Sequence, residues 1–123
     1  MPWTLDARIP LVILADAAAL PAALAAGGPA AVLSEAPALA PPEGAVATEA
    51  FAPAGAVHPA ACACCAGRSP AAAALDRLFQ ARVRGGVPWF ERVVALVGTE
   101  AGRAEIAAAL SGDAVTAARF RAG

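Results

Sequence analysis

Residues 10–35 read "PLVILADAAALPAALAAGGPAAVLSE", and the reading of this stretch decides the fold. Pro10 to Ala15 is a short unbroken apolar run with β-branched members, the pattern of a strand buried on both faces. Residues 17–28, "AAALPAALAAGG", follow as a helix stopped by Gly27 and Gly28. Pro21 then has to lie in the first turn, because deeper in the helix its ring would clash and a hydrogen bond would be lost. Residues 30–35, "AAVLSE", form the second strand.

The same alternation continues outward. Residues 36–55 are rich in proline and alanine, with Pro37, Pro41, Pro42 and Pro53, and are expected to form a long loop around one short strand at "AVATEAF". Ser69 can cap a helix whose first position suits Pro70. On that helix Leu75, Leu78, Phe79 and Val83 share one face, while Asp76, Arg77, Gln80 and Arg84 point to water. Gly85 and Gly86 end it. "RVVALV", residues 92–97, is a further buried strand, and Thr99 caps a helix carrying Ile106 and Leu110. Asp113 starts a last short helix running through Phe120. In "VPWF", residues 87–90, Trp89 and Phe90 fall at a turn and are expected to plug the end of the core. Strands alternating with helices predict an α/β fold of three layers, a mostly parallel sheet with helices on both faces.

Composition narrows the function classes. The 123 residues suit one domain, with nine basic side chains, ten acidic ones and a formal charge of −1. Nothing marks a nucleic-acid arm or a polybasic membrane patch, so neither nucleic acid nor membrane is an expected partner. All nine basic residues are arginine. Three cysteines, two of them adjacent, argue against a secreted disulfide framework. The apolar N-terminal run is interrupted by Asp16 and Pro21 and preceded by Asp6, which disfavours a signal peptide or a span and points to the cytoplasm.

One segment stands apart from this filler. "HPAACACCAGR", residues 58–68, holds every cysteine and the single histidine of the chain: His58, Cys62, Cys64 and Cys65. Thiolates bind zinc, copper(I) or iron–sulfur clusters, imidazole suits zinc, and a tetrahedral site wants about four such donors. Neighbouring Cys64 and Cys65 diverge in an extended backbone, so both reach one ion only across a turn, which Gly67 favours. Three thiolates with His58 or water as the fourth ligand is the resulting site. The competing readings are ordinary ones. Cysteine is also a small hydrophobe among alanines, and a histidine before Pro59 is often a strand-end residue. A redox dithiol is disfavoured because adjacent cysteines form a strained disulfide.

From the cluster onward the chain resembles the CobW family of metal-linked P-loop GTPases. "CACCAGR" is similar to that family's Cys-x-Cys-Cys-x-x-Arg segment. "LDRLFQARVRGGVPWFERVVALVGTEAGRA" follows with a helix, an Arg-x-x-Gly turn and a strand in the same order. "GDAVTAARFR" resembles the next helix, and "RIPLVILA" and "AAVLSE" resemble the first two strands. The resemblance implies a single P-loop-GTPase-like domain over 1–123, truncated relative to the family. It implies transition-metal handling, usually of zinc or cobalt, with Cys62, Cys64 and Cys65 as ligands and Arg68 as the motif's arginine, placed to lower their pKa.

The departures from the family are chemical. A P-loop needs glycines in its turn, a lysine on the phosphates and a hydroxyl on magnesium. Here the turn reads "ADAAALPAALAAGG", and the chain has no lysine at all. The switch-type "NEFGE" has become "SEAPA", keeping Glu35, and "ETTG" has become "LVGT", Leu96 to Thr99. The expectation is therefore a non-catalytic, CobW-like metal-binding or metal-handling protein without nucleotide, zinc being favoured over cobalt or copper. The alternative is a pseudoenzyme interaction subunit that pairs with itself or with a full-length CobW-type partner across an uncovered sheet edge or face.

Overall fold

The computed structural model describes residues 6–36, 40–53 and 68–123. Five strands, β1 (Ile9–Leu14), β2 (Ala30–Glu35), β3 (Ala45–Phe51), β4 (Arg92–Leu96) and β5 (Phe120–Ala122), form one sheet in the order β3-β2-β4-β1-β5. Every pairing is parallel. Four helices connect them: α1 (Leu20–Ala25), α2 (Pro70–Val83), α3 (Glu100–Gly112) and α4 (Ala114–Arg119). A single 3-10 turn at Ala17–Ala19 leads into α1. Among the described residues no helix is long and apolar enough to cross a membrane.

Alternation along the strands sends side chains to two unequal layers. On one face, Ile9, Leu11, Leu33, Val93, Val97 and Phe120 pack against Leu75 and Leu78 of α2 and Ile106 of α3. On the other, Ala30, Val32 and Val94 pack with Leu20 and Leu24 of α1, and Leu14, Ala45 and Leu96 border them. The sheet is thus covered on both faces, as the alternation of elements requires, but α1 has only six residues and lies over β2 and β4. β1 is therefore not buried on both faces. Val12 is 44% exposed and lies outside the cluster that α1 covers.

Local chemistry explains the element ends. Ser69 accepts from Ala72 N and Pro70 opens α2, whose end is marked by Gly85 at a φ of 74°. Pro21 sits in the first turn of α1. The last carbonyls of α1 and the turn after it are held from outside: Arg92 of β4 donates to Ala23 O and Leu24 O of the helix and to Gly28 O beyond it, each at 2.9 Å.

Besides β1, other expectations change, and the helix expected over 17–28 is a 3-10 turn followed by α1. α4 stops at Arg119, and Phe120 begins β5, which pairs with β1 from Ile9 and Phe120 onward. The buried ring of Phe120 serves the core from a strand instead of a helix. Val83 is 51% exposed, since the apolar face of α2 is completed by Ala71, Ala72 and Ala74 at the other end of the helix. Trp89 is 60% exposed with the Arg82 guanidinium 3.5 Å from its ring centre, while Phe90 alone fills the core. Trp3 lies outside the described residues.

Candidate functional site

His58, Cys62, Cys64 and Cys65, the expected metal ligands, lie outside the described residues. What the structure describes is the frame on either side of them. Upstream, β3 ends at Phe51, a buried core side chain whose carbonyl accepts from Ala36 N at 2.7 Å. Downstream, Arg68 is held before α2 begins. Its Nε and Nη2 donate to the two carboxylate oxygens of Asp113 at 2.9 and 3.2 Å, and its Nη1 lies 3.8 Å from Asp76. Asp76 also pairs with Arg119, which lies over the Phe79 ring. Hydrogen bonding from Arg68 holds the Asp113 carboxyl below the usual carboxylate range, against the upward push of burial.

This network gives Arg68 a role that the sequence does not announce. Its positive charge is shared between two carboxylates, and it pins the chain entering α2. The residues that pin it were missed as a group. Asp113 reads in sequence only as a helix cap, which it also is, accepting from Thr116 N. Nothing in local periodicity announces its partner 45 positions away.

The carboxyl ends of the strands are where open parallel sheets bind ligands, at the point where the winding direction reverses. Here the chain leaves β1 across β4 toward β2, and leaves β4 across β1 toward β5, so that point lies between β1 and β4. The helix starts around this edge are filled by the chain's own carboxylates. Asp16 Oδ1 accepts from Ala18 N at 2.9 Å. Glu35, at the end of β2, accepts from Thr99 N at 2.9 Å and from the Thr99 hydroxyl at 2.6 Å, at the head of α3. Glu105 accepts from Ala71 N at 2.9 Å, at the head of α2. Burial would raise the pKa of Glu35, but hydrogen bonds from Thr99 and Gly98 and the charge of Arg103 together bring it below the ordinary value.

In sequence Thr99 reads as a helix cap, which it is, and Glu35 and Thr99 belong to two separate segments. The structure brings them together as one capping unit. Gly102 makes the fit possible: a Cβ there would lie 2.6 Å from Val97 Cγ1 and 2.9 Å from Glu35 Cδ. Among the described residues no three His, Cys, Asp or Glu side chains gather into a group that could hold a metal ion. No family model matches the chain, and neither a curated protein nor a solved structure does.

Proposed function

We propose that this chain is a non-catalytic, CobW-like metal-binding protein of the cytoplasm that carries a transition-metal ion on Cys62, Cys64 and Cys65, with His58 or water as the fourth ligand. The observation that carries the reading is the confinement of every soft donor in the chain to eight residues. Three thiolates and an imidazole fit zinc, and the same donors accommodate cobalt or copper(I). The connector bearing them runs between Phe51, set in the core, and Arg68, pinned by Asp113. Both of its neighbours are thus fixed parts of the domain.

The non-catalytic half of the proposal has its own support. A phosphate-binding loop offers free backbone N–H groups at a helix start. Here Asp16, Glu35 and Glu105 already accept from N–H groups at those places, and each brings a negative charge that repels phosphate. The chain also has no lysine to take the place of the one that a phosphate-binding loop sets on the phosphates.

The test is elemental mass spectrometry on protein purified under reducing, chelator-free conditions, beside a Cys62/Cys64/Cys65→Ser variant. One ion per chain, lost in the variant, is the expected result. No metal after anaerobic zinc titration defeats the proposal.

A second reading, an interaction subunit, is favoured by the uncovered strip at Val12 and the exposed indole of Trp89. Light scattering at low micromolar concentration separates the two, since a clean monomer removes self-pairing.

A further inference from the structure

At the end of the sheet where β1 and β5 begin, a cavity of about 440 Å³ opens between these strands and the last turns of α3. Its volume falls within the roughly 300–1,000 Å³ typical of small-molecule sites. Arg8, Ala107, Leu110, Ser111, Arg121 and Ala122 line it. Two guanidinium groups therefore face a wall that is otherwise mostly apolar.

The charges at this cavity do not balance. Asp6 is the carboxylate present, and Arg8 takes most of it: Nε donates to Oδ1 at 3.0 Å, Nη2 to Oδ2 at 2.8 Å, and the Arg8 backbone N–H to Oδ1 at 3.0 Å. Arg121 is left with the remainder. Its Nε lies 3.6 Å from Asp6 Oδ2, too far for a hydrogen bond, and it is buried without any hydrogen-bond partner. Nε is closed to solvent, so an incoming anion meets instead the exposed part of this side chain, which is 37% accessible and only loosely held by Asp6.

We propose that this cavity binds a small organic monocarboxylate, its carboxylate on Arg121 and Arg8 and its hydrocarbon tail against Ala107 and Leu110. Among the described side chains at this cavity, two arginines face one aspartate, an excess of positive charge that suits a monoanion. The planar guanidinium fork suits a carboxylate. The apolar wall favours a short hydrocarbon tail over a compact, fully hydrated ion such as phosphate. The Ser111 hydroxyl donates back to Ala107 O, so it adds no donor for a second anionic group. Asp6 is then an internal competitor for the same two cations.

The experiment is an amide NMR titration of the full chain with butyrate, repeated with inorganic phosphate and with the Asp6→Asn and Arg121→Gln variants. Saturable shifts at Leu110, Ser111, Arg121 and Ala122 are expected with butyrate and not with phosphate. Arg121→Gln should weaken butyrate binding by roughly tenfold or more, the usual size of a lost charged hydrogen bond. Asp6→Asn, at an exposed side chain whose change leaves the core intact, should tighten it. No saturable shift with butyrate overturns the proposal, and so does an equal response to phosphate. Should Arg121→Gln not fold, Asp6→Asn decides alone: unchanged or weaker butyrate binding there counts against the site.

Discussion

Gly102 and Glu35 meet at the head of α3, and both are intolerant of change for reasons that can be measured. Adding a methyl group at Gly102 drives it into Val97 Cγ1 and the Glu35 carboxyl carbon. Val97 is fully buried, so neither neighbour can retreat freely. Gly102→Ala should destabilise the protein by about 1–3 kcal/mol, the usual cost of overpacking, despite the better helix propensity of alanine. Urea denaturation of the two proteins is the check. Glu35→Gln keeps the shape and removes the charge that accepts from Thr99 N and Oγ1. The folded pKa of Glu35 lies below its ordinary value of 4.5, so its ionised form is favoured by folding. That contribution is complete above the unfolded pKa and is lost as pH falls through the folded one. Wild type should therefore exceed Glu35→Gln in stability at pH 7, and the gap should close as the pH is lowered past 4.5. A gap that stays constant to acid pH would remove the carboxylate's role as a cap.

At the scale of elements, the weakest piece is α1, which packs on the sheet through Leu20 and Leu24. A six-residue helix is too short to persist alone. Its last carbonyls depend on Arg92, which reaches Ala23, Leu24 and Gly28 from the neighbouring strand. Arg92→Met preserves much of the aliphatic stem and strips all three donors. It should cost about 2–4 kcal/mol, several charged hydrogen bonds being lost with partial recovery by water. Hydrogen exchange should rise first at Leu24 and Ala25, while β4 stays protected. The other end of the fold hangs on β5. Phe120→Ala should cost about 3–5 kcal/mol, because the ring is fully buried and packs edge-on against Phe79 of α2. These elements also show what the sequence discloses. The strands β1, β2 and β4 and the caps Ser69, Thr99 and Asp113 were legible because apolar runs and cap chemistry are local. β5 was not, since three residues with one large apolar side chain carry no periodic signal and gain strand geometry only by pairing with β1. Nor was the exposure of Val12, which depends on where a short helix comes to rest. The Arg68–Asp113 pair and the Glu35–Thr99 cap join positions 45 and 64 residues apart, and no local pattern encodes such separations.

For the molecule as a whole, the question is whether metal and fold are linked. All candidate donors fall within eight residues, so an unfolded chain can offer them to zinc nearly as well as a folded one. A ligand stabilises the native state only by its preference for that state, and binding to the unfolded chain subtracts from the effect. The folded frame supplies a preference through the two ends it fixes, Phe51 in the core and Arg68 on Asp113. Zinc at one hundred times its dissociation constant should therefore raise the unfolding free energy by less than the roughly 2.7 kcal/mol that exclusive native binding would give, yet by more than nothing. Asp113→Asn keeps much of the cap geometry and weakens the hold on Arg68. It should reduce that increment further and leave a serine triple variant, which has none, unaffected by zinc. Thermal unfolding with and without zinc, read beside direct metal affinities, supplies both numbers. Stoichiometric zinc with no change in the midpoint would mean that residues 58–68 bind metal independently of the domain, and that the pinning of Arg68 serves α2 alone.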